Sequence, residues 1–309
     1  MLRLLFATLS FSMSDNTQPR FSVVIPAYNE SQYIAKTLES LHDQDFAGDF
    51  EVIVVDNNST DATRDVAEGL GATVIFEKRA GVCFARQAGT EAARGEIVIS
   101  TDADTYFSQN WLSTIDKSFK KNDKIVSVTG PCRYVEGPIW ATVYPYVLFG
   151  LVSAIYRLTG RTIYASATNI AFKKSAWRGY NTLLTQGGDE LDLIHNLRKE
   201  GRVVFNNGNP TFTSARRQAR GFIYNFFVTF LFYYILEYYL NKIFKRRVLG
   251  SAPKFRNDYS PKILSLLNLS IISALIAIVI IQQNALHYVI RESDRLIRST
   301  TNLIDRDKR

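Results

Sequence analysis

Apolar positions in the first half of the chain follow two alternating rhythms. Phe21-Ser-Val-Val-Ile25 has the pattern of a buried strand, and Pro26-Ala-Tyr-Asn-Glu30 follows it as a loop. Ile34, Leu38 and Leu41 then recur at helical spacing, with Asn29 placed to cap that helix. Val52–Val55 is a second buried run that ends directly in Asp56-Asn-Asn-Ser-Thr-Asp61. Thr60 or Asp61 can cap a helix reaching about Leu70, and Thr73–Phe76 reads as a third strand. Gly81 opens a helix through Phe84, Arg86, Gln87 and Ala93, and the β-branched run Ile97–Ile99 predicts a fourth strand, followed by a helix near Trp111. Strands alternating with helices at this spacing predict an α/β fold with a mostly parallel sheet.

The second half is less regular. Ile125–Gly130 and Ala167–Phe172 predict strands, and a helix opening after Gly187-Gly188 sets Leu191, Ile194 and Leu197 on one face. Trp140–Leu158 is aromatic and apolar over 19 residues, long enough for a span, yet Pro145, Gly150 and Arg157 suit a buried or interfacial helix equally. Beyond it, Phe222–Leu240 has ten Phe or Tyr among 19 residues. A linker follows with seven Lys or Arg and one acid, Asp258; then Ile263–Ile281 runs 19 residues without charge, the length of a transmembrane helix.

Composition narrows the partners. The chain of 309 residues carries a formal charge of +8, compatible with nucleic acid, anionic lipid or an anionic substrate. The basic residues cluster beside the apolar stretches, which favours a membrane and predicts no nucleic-acid role. Cys83 and Cys132 have neither disulfide-framework nor zinc spacing and read as small apolar fillers, and three histidines are too few for a His-rich metal site. Met1–Met13, with Arg3 and the apolar run Leu4–Phe11, loosely resembles a short signal sequence without a convincing cleavage site; residues 1–20 are expected to be a disordered tail, with Met13 an alternative start.

The candidate chemistry sits at the predicted strand ends. Asp102 and Asp104 stand one residue apart just past Ile97–Ile99, where an open α/β sheet binds ligands. Two such carboxylates suit a hard divalent cation, which takes one or two protein carboxylates and fills its other positions with water and phosphate oxygens; they also suit a plain turn and helix start. Asp189 and Glu190 fall in the first turn of a helix, where its dipole favours negative charge. No glycine follows the first strand, which argues against a dinucleotide pyrophosphate on the first helix.

In order along the chain, Val24-Ile-Pro-Ala-Tyr-Asn-Glu30, Val54-Val-Asp-Asn-Asn-Ser-Thr-Asp61, Ser100-Thr-Asp-Ala-Asp104 and Gly188-Asp-Glu-Leu-Asp-Leu193 resemble the motifs of glycosyltransferase family 2. The resemblance runs from about Phe21 to Arg220. It implies the GT-A fold, a Rossmann-like mostly parallel central sheet, followed here by C-terminal membrane-associated helices. It implies a catalytic domain over 21–214, with 21–130 holding a nucleotide-diphosphate sugar and 131–214 the acceptor. Pro26, Tyr28 and Glu30 would line the nucleotide pocket, Asp56 would meet the base, and Arg86 would lie near the donor. Asp102 would contact the ribose or the metal's shell, and Asp104 would hold Mg²⁺ or Mn²⁺. The family's Glu-Asp order is inverted here; aligned on Asp192-Leu193, Glu190 falls at the position of the catalytic base, with Asp189 beside it. Arg217 and Arg220 match a Gln/Arg-x-x-Arg-Trp segment, with Gly221 replacing the Trp of polymerising members, and could bind the departing diphosphate or a lipid phosphate.

The expected activity is therefore a metal-dependent, inverting transfer of sugar to a lipid-linked or cell-envelope glycan acceptor. A non-catalytic nucleotide-sugar or glycolipid-binding protein that kept the fold is the alternative. The catalytic domain is expected to face the cytoplasm. Residues 215–262 would form a basic, aromatic interfacial segment, 263–281 a single span and 282–309 a charged tail.

Overall fold

The computed structural model describes residues 18–182 and 189–216, together with isolated positions between 218 and 244. The expectations for residues 1–17, for Arg217 and Arg220, for most of Phe222–Leu240 and for everything beyond residue 244 lie outside the described residues.

Seven strands form the main sheet. They are β1 (Phe21–Ala27), β2 (Phe50–Asp56), β3 (Thr73–Phe76), β4 (Ile97–Ser100), β6 (Ile125–Thr129), β8 (Ile170–Lys173) and β9 (Arg202–Phe205), in the order β3-β2-β1-β4-β8-β6-β9. Every pairing is parallel except those of β8, which runs against β4 and β6. Central strands of such a sheet are covered on both faces, so they are apolar almost throughout. β1 shows this: Phe21, Val23 and Ile25 enter one core with Ile34, Leu38 and Trp111, while Val24 enters the other with Val55, Val98 and Leu193. Helices α1 (Ile34–His42), α2 (Thr63–Gly69) and α4 (Trp111–Phe119) contribute to the first core. Helices α3 (Val82–Ala92) and α6 (Asp189–Glu200) contribute to the second.

One glycine sets the distance between α3 and the sheet. A methyl group at Gly89 would stand 2.3 Å from Val24 Cγ1 and 2.8 Å from Val55 Cγ2. The helix backbone therefore lies directly on β1 and β2, which brings Arg86, one turn earlier, in among the carboxylates of the site.

The second sheet is small: β5 (Thr105–Tyr106), β10 (Thr211–Ser214) and β7 (Cys132–Val135), with β10 in the middle. The remaining long helix, α5 (Ile139–Thr159), contains Pro145 and ends at Gly160, whose φ of 67° gives a left-handed cap.

Three local expectations change. Asn29 does not cap α1: it sits at a left-handed φ of 52°, and its side-chain oxygen accepts the N–H of Thr60 at 2.6 Å, tying the loop after β1 to the loop after β2. Asp61 rather than Thr60 serves the entry to α2, accepting the N–H of Thr63 at 3.1 Å. The strand placed at Ala167–Phe172 begins only at Ile170, because Asn169 is buried with its amide donating to the carbonyls of Pro131 and Asn209 at 3.1 and 2.8 Å.

Candidate active site

Parallel strands deliver their carboxyl ends to one edge. The register pairs Ala27 with Asp56 and Val24 with Ser100, so the loop after β1, Asp56 and the Asp102–Asp104 turn emerge together. A cleft of about 170 Å³ opens there, lined by Arg86, Asp102, Asp104, Asp189 and Glu190, with Tyr134, Tyr164 and Thr213 among its other walls. Three short peptide stretches far apart in sequence, at Arg86, Asp102–Asp104 and Asp189–Glu190, thus supply four carboxylates and one guanidinium to a single hollow.

Asp102 and Asp104 stand on one wall, each already facing a cation. Arg86 Nη2 donates to Asp102 Oδ1 at 2.8 Å. Arg216 Nη2 lies 3.0 Å from Asp104 Oδ2, while the Thr213 hydroxyl donates to Asp104 Oδ1 at 3.2 Å. The same guanidinium holds Glu30 in a bidentate pair, at 2.7 and 2.6 Å, and sits over the Tyr33 ring at 4.6 Å. Burial opposes the charge on Arg216, but the Glu30 hydrogen bonds and the Asp104 carboxylate outweigh it and push the pKa up. Thr213 and Arg216 reach the wall because β10 inserts beside β5, where Ser214 also donates its N–H to the Asp104 carbonyl at 3.2 Å.

Asp189 and Glu190 form a second wall of the cleft and are more deeply enclosed, each only 4% exposed. Arg86 Nη1 donates to Asp189, so one buried guanidinium bridges the two acidic pairs. Burial costs Arg86 its charge less than Asp189 and Asp102 favour it, and its pKa rises. Among the described residues its buried Nε finds no hydrogen-bond partner. Among the described residues Glu190 has no such cation of its own. Burial, then the charge of Asp189 and a hydrogen bond to it, hold the Glu190 carboxyl well above the ordinary carboxylate range.

The remaining predicted residues sit at the same sheet edge but outside the cleft lining. Asp56 is buried and accepts the N–H of Ser59 at 2.9 Å, forming the turn after β2. Pro26 and Tyr28 are half-buried, and Glu30 connects to the cleft through Arg216. Arg86, expected near a donor, lines the cleft and pairs there with Asp102 and Asp189. Cys83 and Cys132 are buried; burial raises both thiols, Cys132 to about 11, so neither is poised as a nucleophile. Arg216 and Thr213 were not legible as site residues from sequence. The only sign was the basic run beginning at Arg216, whose later members match the family motif better.

This mostly parallel sheet, with two acidic pairs in one cleft at its carboxyl edge, has the GT-A fold. The family model of glycosyl transferase family 2 matches residues 22–179, and the chain belongs to that family. It is 28% identical over 209 residues to a Methanococcus voltae dolichyl N-acetyl-alpha-D-glucosaminyl phosphate 3-beta-D-2,3-diacetamido-2,3-dideoxy-beta-D-glucuronosyltransferase, covering 61% of this chain and 64% of that one. It is 36% identical over 100 residues to the poly(ribitol-phosphate) beta-N-acetylglucosaminyltransferase TarS of Staphylococcus aureus, covering 30% of this chain and 18% of TarS. The matches thus span less than two thirds of these relatives' own lengths. Among solved structures, residues 1–349 of TarS superpose with a TM-score of 0.52 at 23% identity, covering 65% of this chain and 62% of that one, a likeness of fold.

Proposed function

We propose that the protein transfers a sugar from a nucleotide-diphosphate donor to a lipid-linked or cell-envelope glycan acceptor, by a metal-dependent single displacement that inverts the anomeric centre. The observation that carries this reading is the meeting of two acidic pairs in one cleft, Asp102 and Asp104 against guanidinium groups and Glu190 buried with its pKa raised. The names of the relatives support the choice of acceptor class, and TarS has been solved with UDP-GlcNAc, which supports a nucleotide-sugar donor.

The donor set fits a loosely held divalent cation. Among the described residues no cluster of three or more His, Cys, Asp or Glu stands ready to bind a metal. Asp104, with Asp102 beside it, supplies one or two carboxylates, which is what Mg²⁺ accepts when phosphate oxygens and water complete its shell. When bound, such a cation stabilises the charge that develops on the departing diphosphate. Arg216 already lies against Asp104 and is placed to share that task, a guanidinium being suited to bidentate contact with phosphate.

On the other wall Glu190 is the base. The acceptor hydroxyl must lose a proton as it attacks, and a carboxylate whose pKa is raised is a stronger base once ionised. Asp189 is neutralised by Arg86 and holds Glu190 in place. Asp56 contributes to the nucleotide side of the site, at the end of β2. We place the enzyme at a membrane with this domain on the cytoplasmic side, because nucleotide sugars are cytosolic and the apolar stretch Ile263–Ile281 has the length of a span.

A screen of nucleotide sugars tests the reading. A true donor binding only the folded state raises the melting temperature in proportion to RT ln(1+[L]/Kd), and should do so only with Mg²⁺ or Mn²⁺ present. Transfer to a lipid-phosphate acceptor should follow with the same donor. Stabilisation by no nucleotide sugar, or equal stabilisation in chelator, would count against it.

A further inference from the structure

Helix α5 has an apolar surface that the cleft does not use. Its inner side buries Ala141, Pro145, Phe149 and Val152, with Phe149 stacked between Tyr164 and Phe205 at 5.9 and 6.2 Å. Its outer side exposes Ile139, Val143, Tyr146, Val147, Leu151 and Leu158, with Ile139 84% and Val147 67% exposed. Those positions recur every three, four or seven residues and so form one stripe. No charged residue occurs in the helix before Arg157. Its most apolar stretch has a mean hydropathy of 1.5, yet only 22% of it is buried. A soluble protein rarely leaves so long an apolar stripe in water.

Its surroundings say what covers it. The guanidinium of Arg133 lies 4.0 Å from the centroid of the Tyr146 ring, and Arg157 and Arg161 are exposed at the far end. The acid near the stripe, Glu136, is exposed at the N-terminal end and lies 3.9 Å from Lys36. Trp140, Tyr144, Tyr146 and Tyr156 add the residue types that collect where a bilayer meets water. The N-terminal end of α5 also adjoins Ala215: a methyl at Gly137 would stand 2.4 Å from Ala215 Cβ, seven residues before the aromatic stretch Phe222–Leu240 begins.

We propose that the outer face of α5 is a docking surface for the interface of an anionic lipid bilayer, with Arg133, Arg157 and Arg161 at the headgroups. This rests on the membrane placement given above and deepens it. Phe149 on the inner side packs on Tyr164, which lines the cleft. One helix thickness, roughly 10–12 Å, would then separate lipid from cleft. A lipid-linked acceptor would need no long excursion to reach Glu190.

The test uses the full chain carrying Val147→Cys, labelled with an environment-sensitive fluorophore, and Lys117→Cys on α4 as control. The native Cys83 and Cys132 are buried and stay unlabelled. Phosphatidylcholine–phosphatidylglycerol vesicles with brominated acyl chains should shift the Val147 probe to the blue and quench it several-fold more than the Lys117 probe. Leu151→Cys should behave like Val147→Cys, and phosphatidylcholine alone should weaken both effects. A chain that binds vesicles while its Val147 and Leu151 probes remain in water overturns the α5 surface but leaves the membrane placement standing. A chain that does not bind vesicles overturns both. Probes already shielded before vesicles are added would show the stripe covered by the chain itself or a second copy, and would also overturn it.

Discussion

The two acidic pairs of the cleft have the same composition type and opposite electrostatics. Asp102 and Asp104 lie on a turn at the sheet edge, and each faces a separate guanidinium, Arg86 and Arg216. Asp189 and Glu190 lie in the first turn of a buried helix and share a single guanidinium, through Asp189 alone. The first pair has a positive charge for each carboxylate. Among the described residues the second has one more carboxylate than it has positive charge, in a place where desolvation is severe, so the Glu190 pKa is held well above the ordinary carboxylate range. Two acidic pairs of one cleft thus differ in electrostatics according to how many cations the fold sets against them.

The largest effects should come from breaking each pair at its working member. Asp104→Asn should abolish metal-dependent transfer while leaving the melting temperature near that of the parent, since the residue lies at a turn and the amide keeps its size. Transfer that persists with its metal dependence unchanged would remove Asp104 from the cation site. Glu190→Gln should lower kcat about 10²- to 10⁴-fold with donor affinity retained, the scale of losing a general base. Equal loss in donor affinity and kcat would instead place Glu190 on the binding side.

Arg86 joins the two walls, and its removal should be felt in folding. Arg86→Met leaves the buried Asp189 without its cation, and breaking a buried pair from one side typically costs about 3–5 kcal/mol. Chemical denaturation should show a loss on that scale, whereas a loss below about 1 kcal/mol would mean that the triad is open to water.

What could be read from the chain divides along the same line. The first wall was legible: buried parallel strands make unbroken apolar runs, and Asp56, Asp102 and Asp104 come directly after them. The second wall was legible as two acids at a helix start, but not which of them would hold the proton, because that depends on Arg86 arriving from 103 residues away. Arg216 and Thr213 were hidden for a different reason. They belong to β10, a strand of four residues whose partners include β5, of only two, and such pieces carry no periodicity. The Trp140–Leu158 segment was legible as a helix, yet whether it was buried or interfacial required seeing which of its faces packs.

Arg216 offers a finer test of the first wall. With Arg216→Ala the cation that competes for Asp104 is gone, so Mn²⁺ alone, without donor, should bind a few-fold more tightly by spin-label-free EPR of the free ion. Donor affinity should fall in the same variant if the guanidinium also meets the diphosphate. Unchanged affinity for Mn²⁺ would mean that the ion binds away from Asp104.

The smallest expected effect concerns the second wall and is a gain. A glutamate whose pKa is higher in the folded chain than in the unfolded one makes the native state the better proton binder between the two values. Below the unfolded value, about 4.3, both states hold the proton and Glu190 adds no pH dependence. As pH rises above it the unfolded chain ionises first, and stability falls until the folded carboxyl ionises too. Each tenfold displacement of that equilibrium is worth about 1.4 kcal/mol. Glutamine removes the titration and, like the protonated acid, can donate a hydrogen bond to Asp189. Glu190→Gln should therefore melt close to the parent near pH 4 and progressively above it toward pH 8, a stabilised protein that has lost turnover. Melting curves that stay parallel across this range would mean that burial leaves Glu190 unraised in the fold, and no stronger a base than an ordinary carboxylate.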